Sequence, residues 1–130
     1  MLEKTIEGAF GSRITDWAIE ENINLAYVKF TGAKGWPDRI LTWGLGPDKP
    51  PHFIWIEWKR PGEKLRPLQA HIHKILRSMG HDVRVYDDYR LALDELREEI
   101  RATLRADSWD EADCLKWRDK VVSSSGKGED

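Results

Sequence analysis

Apolar residues recur every three or four positions near the start of the chain, as Ile6, Phe10, Ile14, Trp17 and Ala18, with Glu3, Glu7 and Asp16 flanking the stripe. That period predicts an amphipathic helix with one face committed to a core. Gly8 and Gly11 weaken it, each costing about 1 kcal/mol against alanine, and Asn22-Ile23-Asn24 ends it. The pattern then changes to short β-rich runs: Leu25–Phe30 and Arg39–Trp43 read as strands, separated by a flexible basic loop from Thr31 to Gly35. Gly46-Pro47 and Pro50-Pro51 mark the turn into a third strand, Phe53–Lys59. Alternation along it puts Phe53, Trp55, Glu57 and Lys59 on one face and Ile54, Ile56 and Trp58 on the other.

Pro61-Gly62 breaks the third strand, and Pro67 suits the first turn of a second helix. Leu68, Ile72, Ile75, Leu76 and Met79 are its expected buried stripe, and Gly80 ends it. Asp82–Tyr86 is a fourth strand. Asp87 or Asp88 caps a long helix with the stripe Tyr89, Leu93, Leu96, Ile100 and Leu104, and a short helix is expected around Trp109–Trp117. The order of helix, three strands, helix, strand and further helices predicts an α/β fold, a small mixed sheet flanked by helices.

Composition adds bounds. At 130 residues and 15.1 kDa, the expectation is a single domain over residues 1–120 with a disordered tail over 121–130. Seven tryptophans supply much of the core's volume. With 34 % charged residues and no long apolar run, no membrane association is expected. The start of the chain has no signal-peptide pattern, and Cys114 is a lone cysteine; both agree with a reducing cytoplasm, bacterial or phage-infected.

The net charge of −2 argues at first against a nucleic-acid partner, but its distribution does not. From Lys29 to Arg84 eleven basic residues face five acidic ones, so a centre of net +6 lies between acidic flanks. That fits a phosphate-binding face backed by solvated helices. Lys34, Arg39, Lys49, Arg60, Lys64 and Arg66 fall on loops around the strand ends and are the best phosphate contacts.

The sharpest chemistry lies at the end of the third strand. Glu57 and Lys59 stand side by side on a strand that reads as buried, and buried charge is costly unless it is paired or holds a metal. Asp38, at the start of the preceding strand, can reach the same end of the sheet. Two acidic oxygen ligands plus a lysine suit a hard divalent cation and a phosphodiester. The histidines add less: His71 and His73, two apart on a helix, share no face, and His52 and His81 are loop residues with no partner in view.

Taken together, these pieces resemble the virus-type replication-repair nuclease domain (VRR-NUC), a branch of the PD-(D/E)XK nuclease superfamily. The matching residues are Glu3, Lys29, Gly35-Trp36-Pro37-Asp38-Arg39, Glu57-Trp58-Lys59, Pro61-Gly62, Pro67-Leu68-Gln69 with His73, and Gly80 followed by Val83 and Val85. They span roughly residues 3 to 97. The resemblance implies an αβββαβ core and a Mg²⁺- or Mn²⁺-dependent endonuclease acting on DNA. It makes Asp38, Glu57 and the backbone carbonyl of Trp58 the metal ligands, with Lys59 orienting water or stabilising charge on phosphorus. Glu3 matches the family's first-helix acid, with Glu7 one turn along in reserve, and Gln69 reaches toward the same pocket.

It further implies branched DNA, such as four-way junctions in phage-type replication or repair, as substrate, with flap or single-strand cutting as the alternative. A two-fold homodimer is expected, because junction resolution needs two cuts and the Ile6–Trp17 helix, the Tyr89–Leu104 helix and Trp109 with Trp117 carry more apolar stripe than one compact core needs. Two other classes compete: a DNA-binding domain that has lost catalysis, and a protein-interaction module. Neither explains a retained Asp38, Glu57 and Lys59.

Overall fold

A computed structural model describes residues 3–31 and 33–109 together with Arg118, Lys120 and Val121; of Glu3 and Lys4 it describes the backbone alone. Its elements run α1 (Glu3–Glu20), β1 (Asn24–Lys29), β2 (Arg39–Gly44), β3 (His52–Trp58), α2 (Pro67–Ser78), β4 (Asp82–Tyr86) and α3 (Tyr89–Asp107). The sheet order is β1-β2-β3-β4. The first two pairings are antiparallel, and β3 pairs with β4 in parallel through the α2 crossover. This is the mixed sheet and helix order that the residue pattern predicts. The expected short helix around Trp109–Trp117 and the 121–130 tail fall almost wholly outside the described residues, as does Cys114.

The two faces of the sheet differ. On one, α1 and α3 pack Ile6, Phe10, Ile14, Trp17, Leu93, Leu96 and Ile100 against Leu41, Trp43, Ile54, Ile56 and Trp58. The apolar stripes of α1 and α3 are thus consumed within the chain, and the surplus apolar surface expected to join two subunits lies on neither stripe. On the other face α2 alone covers a smaller cluster of Trp55, Leu76 and Val83, with Phe30, Trp36, Ile40 and Ile72 partly buried around it.

One expected stripe is corrected here. The buried residues of α2 are His73 and Leu76, whereas Leu68, Ile75 and Met79 are exposed. A single helix on an open sheet face buries only a narrow seam, and here it runs through positions 69, 72, 73 and 76.

Glycine in α1 has a structural reason. A Cβ on Gly11 would stand 2.7 Å from Cε1 of Tyr27. That ring cannot yield, because its hydroxyl accepts from Trp58 Nε1 at 2.8 Å and Phe10 packs on it edge-on at 5.3 Å. Gly11→Ala is therefore expected to destabilise the protein by about 1–3 kcal/mol despite alanine's better helix propensity. Gly8→Ala, with nothing within 4 Å of the added atom, is expected to stabilise it slightly. Urea denaturation of the two variants reads the difference.

Candidate active site

Antiparallel pairing joins the start of β2 to the end of β3. Arg39 pairs with Ile56 and Ile40 with Trp55, so one further step of the same register sets Asp38 opposite Glu57. Asp38 is held there by its own carbonyl, which accepts from Phe30 N at 2.7 Å. Beyond β3, Lys59 N donates to Tyr86 O at 2.9 Å, so the backbone stays in the sheet as far as the lysine. The expected trio therefore meets at one sheet end.

Glu57 and Lys59 are both nearly buried, with 6 % and 3 % of their surface exposed. Gln69, in the first turn of α2, bridges them. Lys59 Nζ donates to Gln69 Oε1 at 2.8 Å, and Arg66 N donates to the same oxygen at 2.9 Å. Two donors on Oε1 leave the amide nitrogen facing Glu57 Oε1, at 3.5 Å. An ammonium can only donate, so this orientation of the amide is the one chemistry allows. Glu63 adds a carboxylate 4.0 Å from Lys59 Nζ.

His73 is the residue that sequence reasoning undervalued. It is fully buried, with Nε2 3.6 Å from Glu57 Oε1. Burial, reinforced by the positive charges of Arg77 and Lys59, pushes its pKa below the ordinary 6.5, so the ring is neutral beside the carboxylate. Its position one helical turn after Gln69 was the available signal. An unfolded chain then binds a proton that the native protein refuses. Stability is full above pH 6.5 and falls as pH drops below it. Replacing His73 by glutamine is expected to flatten that part of the stability–pH curve, measured as Tm between pH 5 and 7.

On the α1 side, the reserve acid Glu7 lies beside Arg39 and Asp38, and the side chain of Glu3 lies outside the described residues. Glu7 Oε2 pairs with Arg39 at 3.2 Å, and Arg39 in turn lies over the Tyr27 ring at 5.2 Å. Burial first, then the negative charge of Glu7, raises the pKa of Asp38 above the ordinary carboxylate range. Asp38 Oδ1 is buried and makes no hydrogen bond among the described residues. An orphaned acidic oxygen beside a second carboxylate is what a bound cation would relieve.

The donor set therefore fits a divalent metal, within limits. Among the described residues no three His, Cys, Asp or Glu side chains group closely enough to hold an ion alone. Mg²⁺ commonly takes one or two carboxylates and keeps several waters. Asp38 and Glu57, the acids at this sheet end, would be those two carboxylates, with the Trp58 carbonyl as a further oxygen. The Trp58 side chain itself turns to the other face to reach Tyr27.

The expected phosphate contacts divide. Lys34, Lys64 and Arg66 are exposed and form no ion pair among the described residues, whereas Arg60 is 3.4 Å from Glu63 and Arg39 is engaged by Glu7. His52 has a partner after all: it opens β3, sits 2.6 Å from Asp107 Oδ2 and stacks on Trp43. That contact ties the far end of the sheet to α3.

No protein-family model matches the chain. Over 61 residues it is 38 % identical to a protein of Acyrthosiphon pisum secondary endosymbiont phage 1 named "Putative nuclease p44". The aligned stretch covers 47 % of this chain and 60 % of that phage protein. The relative carries a nuclease name. Among the described residues no helix is long and apolar enough to cross a membrane.

Proposed function

We propose that this chain is a metal-dependent DNA endonuclease. The observation that carries the reading is the meeting of Asp38, Glu57 and a buried Lys59 at one sheet end, with Gln69 bridging Glu57 and Lys59. The likeness to a phage protein with a nuclease name supports it. A binding module or interaction module has no use for an ammonium buried to 3 % exposure beside two acids, since that arrangement costs stability.

In this reading Asp38 and Glu57 hold Mg²⁺ or Mn²⁺, helped by the Trp58 carbonyl. When bound, the ion supplies Lewis acidity toward a phosphate oxygen and lowers the pKa of a water. Lys59, charged and restrained by Gln69, offers its remaining N–H donors to the charge that builds on the phosphoryl oxygens. Gln69 keeps Lys59 and Glu57 at fixed separation, so neither collapses onto the other before substrate arrives. His73, neutral and buried, packs behind Glu57 without competing for its charge. The α1 acid, Glu7, restrains Arg39 and raises the proton affinity of Asp38.

The finer reading, cleavage of branched DNA by a two-fold homodimer, comes from the family resemblance. Labelled linear, flap and four-way substrates incubated with Mg²⁺ or Mn²⁺ test both levels. Cleavage of any substrate that disappears with chelation supports the nuclease; a preference for the four-way junction with paired cuts supports the resolvase. Chelator-insensitive cleavage, or none on any substrate, removes the proposal.

A further inference from the structure

A second cationic recess lies off the proposed catalytic end, along the seam where α3 packs on α1. Arg13 lies over the Tyr89 ring at 5.4 Å, and Arg90 lies over the same ring at 5.7 Å. Arg90 Nε donates to the Tyr89 hydroxyl at 3.3 Å. With Leu93, Asp94 and Arg97 these residues line an open cleft of about 300 Å³. Arg97 reaches the seam from α3, over the Trp17 ring at 5.9 Å, with its Nε buried and without a hydrogen-bond partner among the described residues.

Three guanidiniums converge here, and none of them has a carboxylate within 4.0 Å among the described residues. Among the same residues Arg39, Arg60, Arg84 and Arg101 each have one, whereas Arg66, Arg77 and Arg105 do not. The carboxylate of Asp88, the nearest acid in sequence to Arg90, is engaged by the backbone N–H groups of Arg90 and Leu91 at the start of α3. Asp94 is the acid on the cleft wall. Arg13 and Arg90 are exposed, and their terminal guanidinium nitrogens are the groups that can grip a phosphate in two places.

Tyr89 and Arg90 also line an adjoining recess with Ile6, Pro61, Asp87 and Asp88.

We propose that the Arg13–Arg90–Arg97 cleft binds a backbone phosphate of DNA outside the scissile position, as a track for a substrate arm. The choice of DNA rests on the nuclease reading; the phosphate chemistry does not. The test is fluorescence anisotropy in EDTA, so that binding is read whether or not the protein cuts, with a labelled 30-base-pair duplex over a series of salt concentrations. The double variant R13Q/R90Q changes two exposed side chains and leaves the half-buried Arg97 in place. It is expected to bind about tenfold more weakly at low salt, with the log–log salt slope reduced by about two, one per lost contact. R13K/R90K, which keeps both charges, is expected to retain most of the slope. An unchanged slope in R13Q/R90Q overturns the proposal, as does an equal loss in R13K/R90K, which would make the arginines packing residues. Inorganic pyrophosphate is titrated in parallel. Pyrophosphate binding that R13Q/R90Q abolishes while the DNA slope stays unchanged assigns the cleft to a free phosphate ligand and overturns the DNA track.

Discussion

Asp38→Asn is expected to abolish metal-dependent cleavage and, in chelator, to make the protein more stable than the wild type. The two effects share a cause. Burial and the adjacent Glu7 raise the proton affinity of Asp38, so its native carboxyl binds a proton more readily than the unfolded one does. Its contribution to stability is full below the ordinary carboxylate range and is lost as pH rises through the raised native value. At neutral pH the ionised Asp38 is thus a liability, and a neutral amide of the same shape removes it. The expected result is a higher Tm for the variant than for the wild type in chelator. Saturating Mn²⁺ should raise the Tm of the wild type and leave the variant unmoved. Differential scanning fluorimetry with and without Mn²⁺, beside a cleavage assay, decides the matter. A variant less stable than the wild type in chelator would show Asp38 to be a structural acid.

Lys59→Met carries the second large effect. The side chain is nearly as long and fills the same buried space, so the fold should survive with modest loss, while the charge and its donors disappear. Cleavage is expected to fall by about 10²–10³-fold or more, the usual cost of removing one charge-stabilising donor from a preorganised site. The Mn²⁺-induced rise in Tm should persist, because Lys59 is no ligand. Losing the metal response along with activity would show that Lys59 instead holds Glu57 in place through Gln69. Gln69→Leu separates the two roles further: it keeps both charges and removes the bridge, so a smaller loss is expected.

Much of this was legible in the residues because periodicity and punctuation agree. A helical period over Ile6–Ala18, alternation over Phe53–Lys59 and glycine or proline at the breaks yield the element order that the structure has. The meeting of Asp38 with Glu57 needed only that β2 and β3 pair as a hairpin. What stayed hidden depended on tertiary contact. His73, one turn after Gln69, reads as a plain polar contact until α2 is laid on the sheet, since Leu68, Ile75 and Met79 supply a more apolar face that in fact points outward. The choice between Glu3 and Glu7 turns on how far α1 slides along the sheet. His52 and Asp107 are 55 residues apart, a pairing that no local pattern announces.

The register that sets Asp38 opposite Glu57 also predicts how the protein can change length over evolution. The Leu45–Pro51 connection lies at the far end of β2 and β3, so residues added or removed there leave the strand pairing, and with it the site, untouched. A single residue inserted within β2 or β3 reverses the facing of everything beyond it and carries one carboxylate through to the α1–α3 face. Homologues are therefore expected to vary freely in that hairpin loop and to keep an unbroken count of residues from its ends to Asp38 and to Glu57. The spacing between the two acids can drift in only one place.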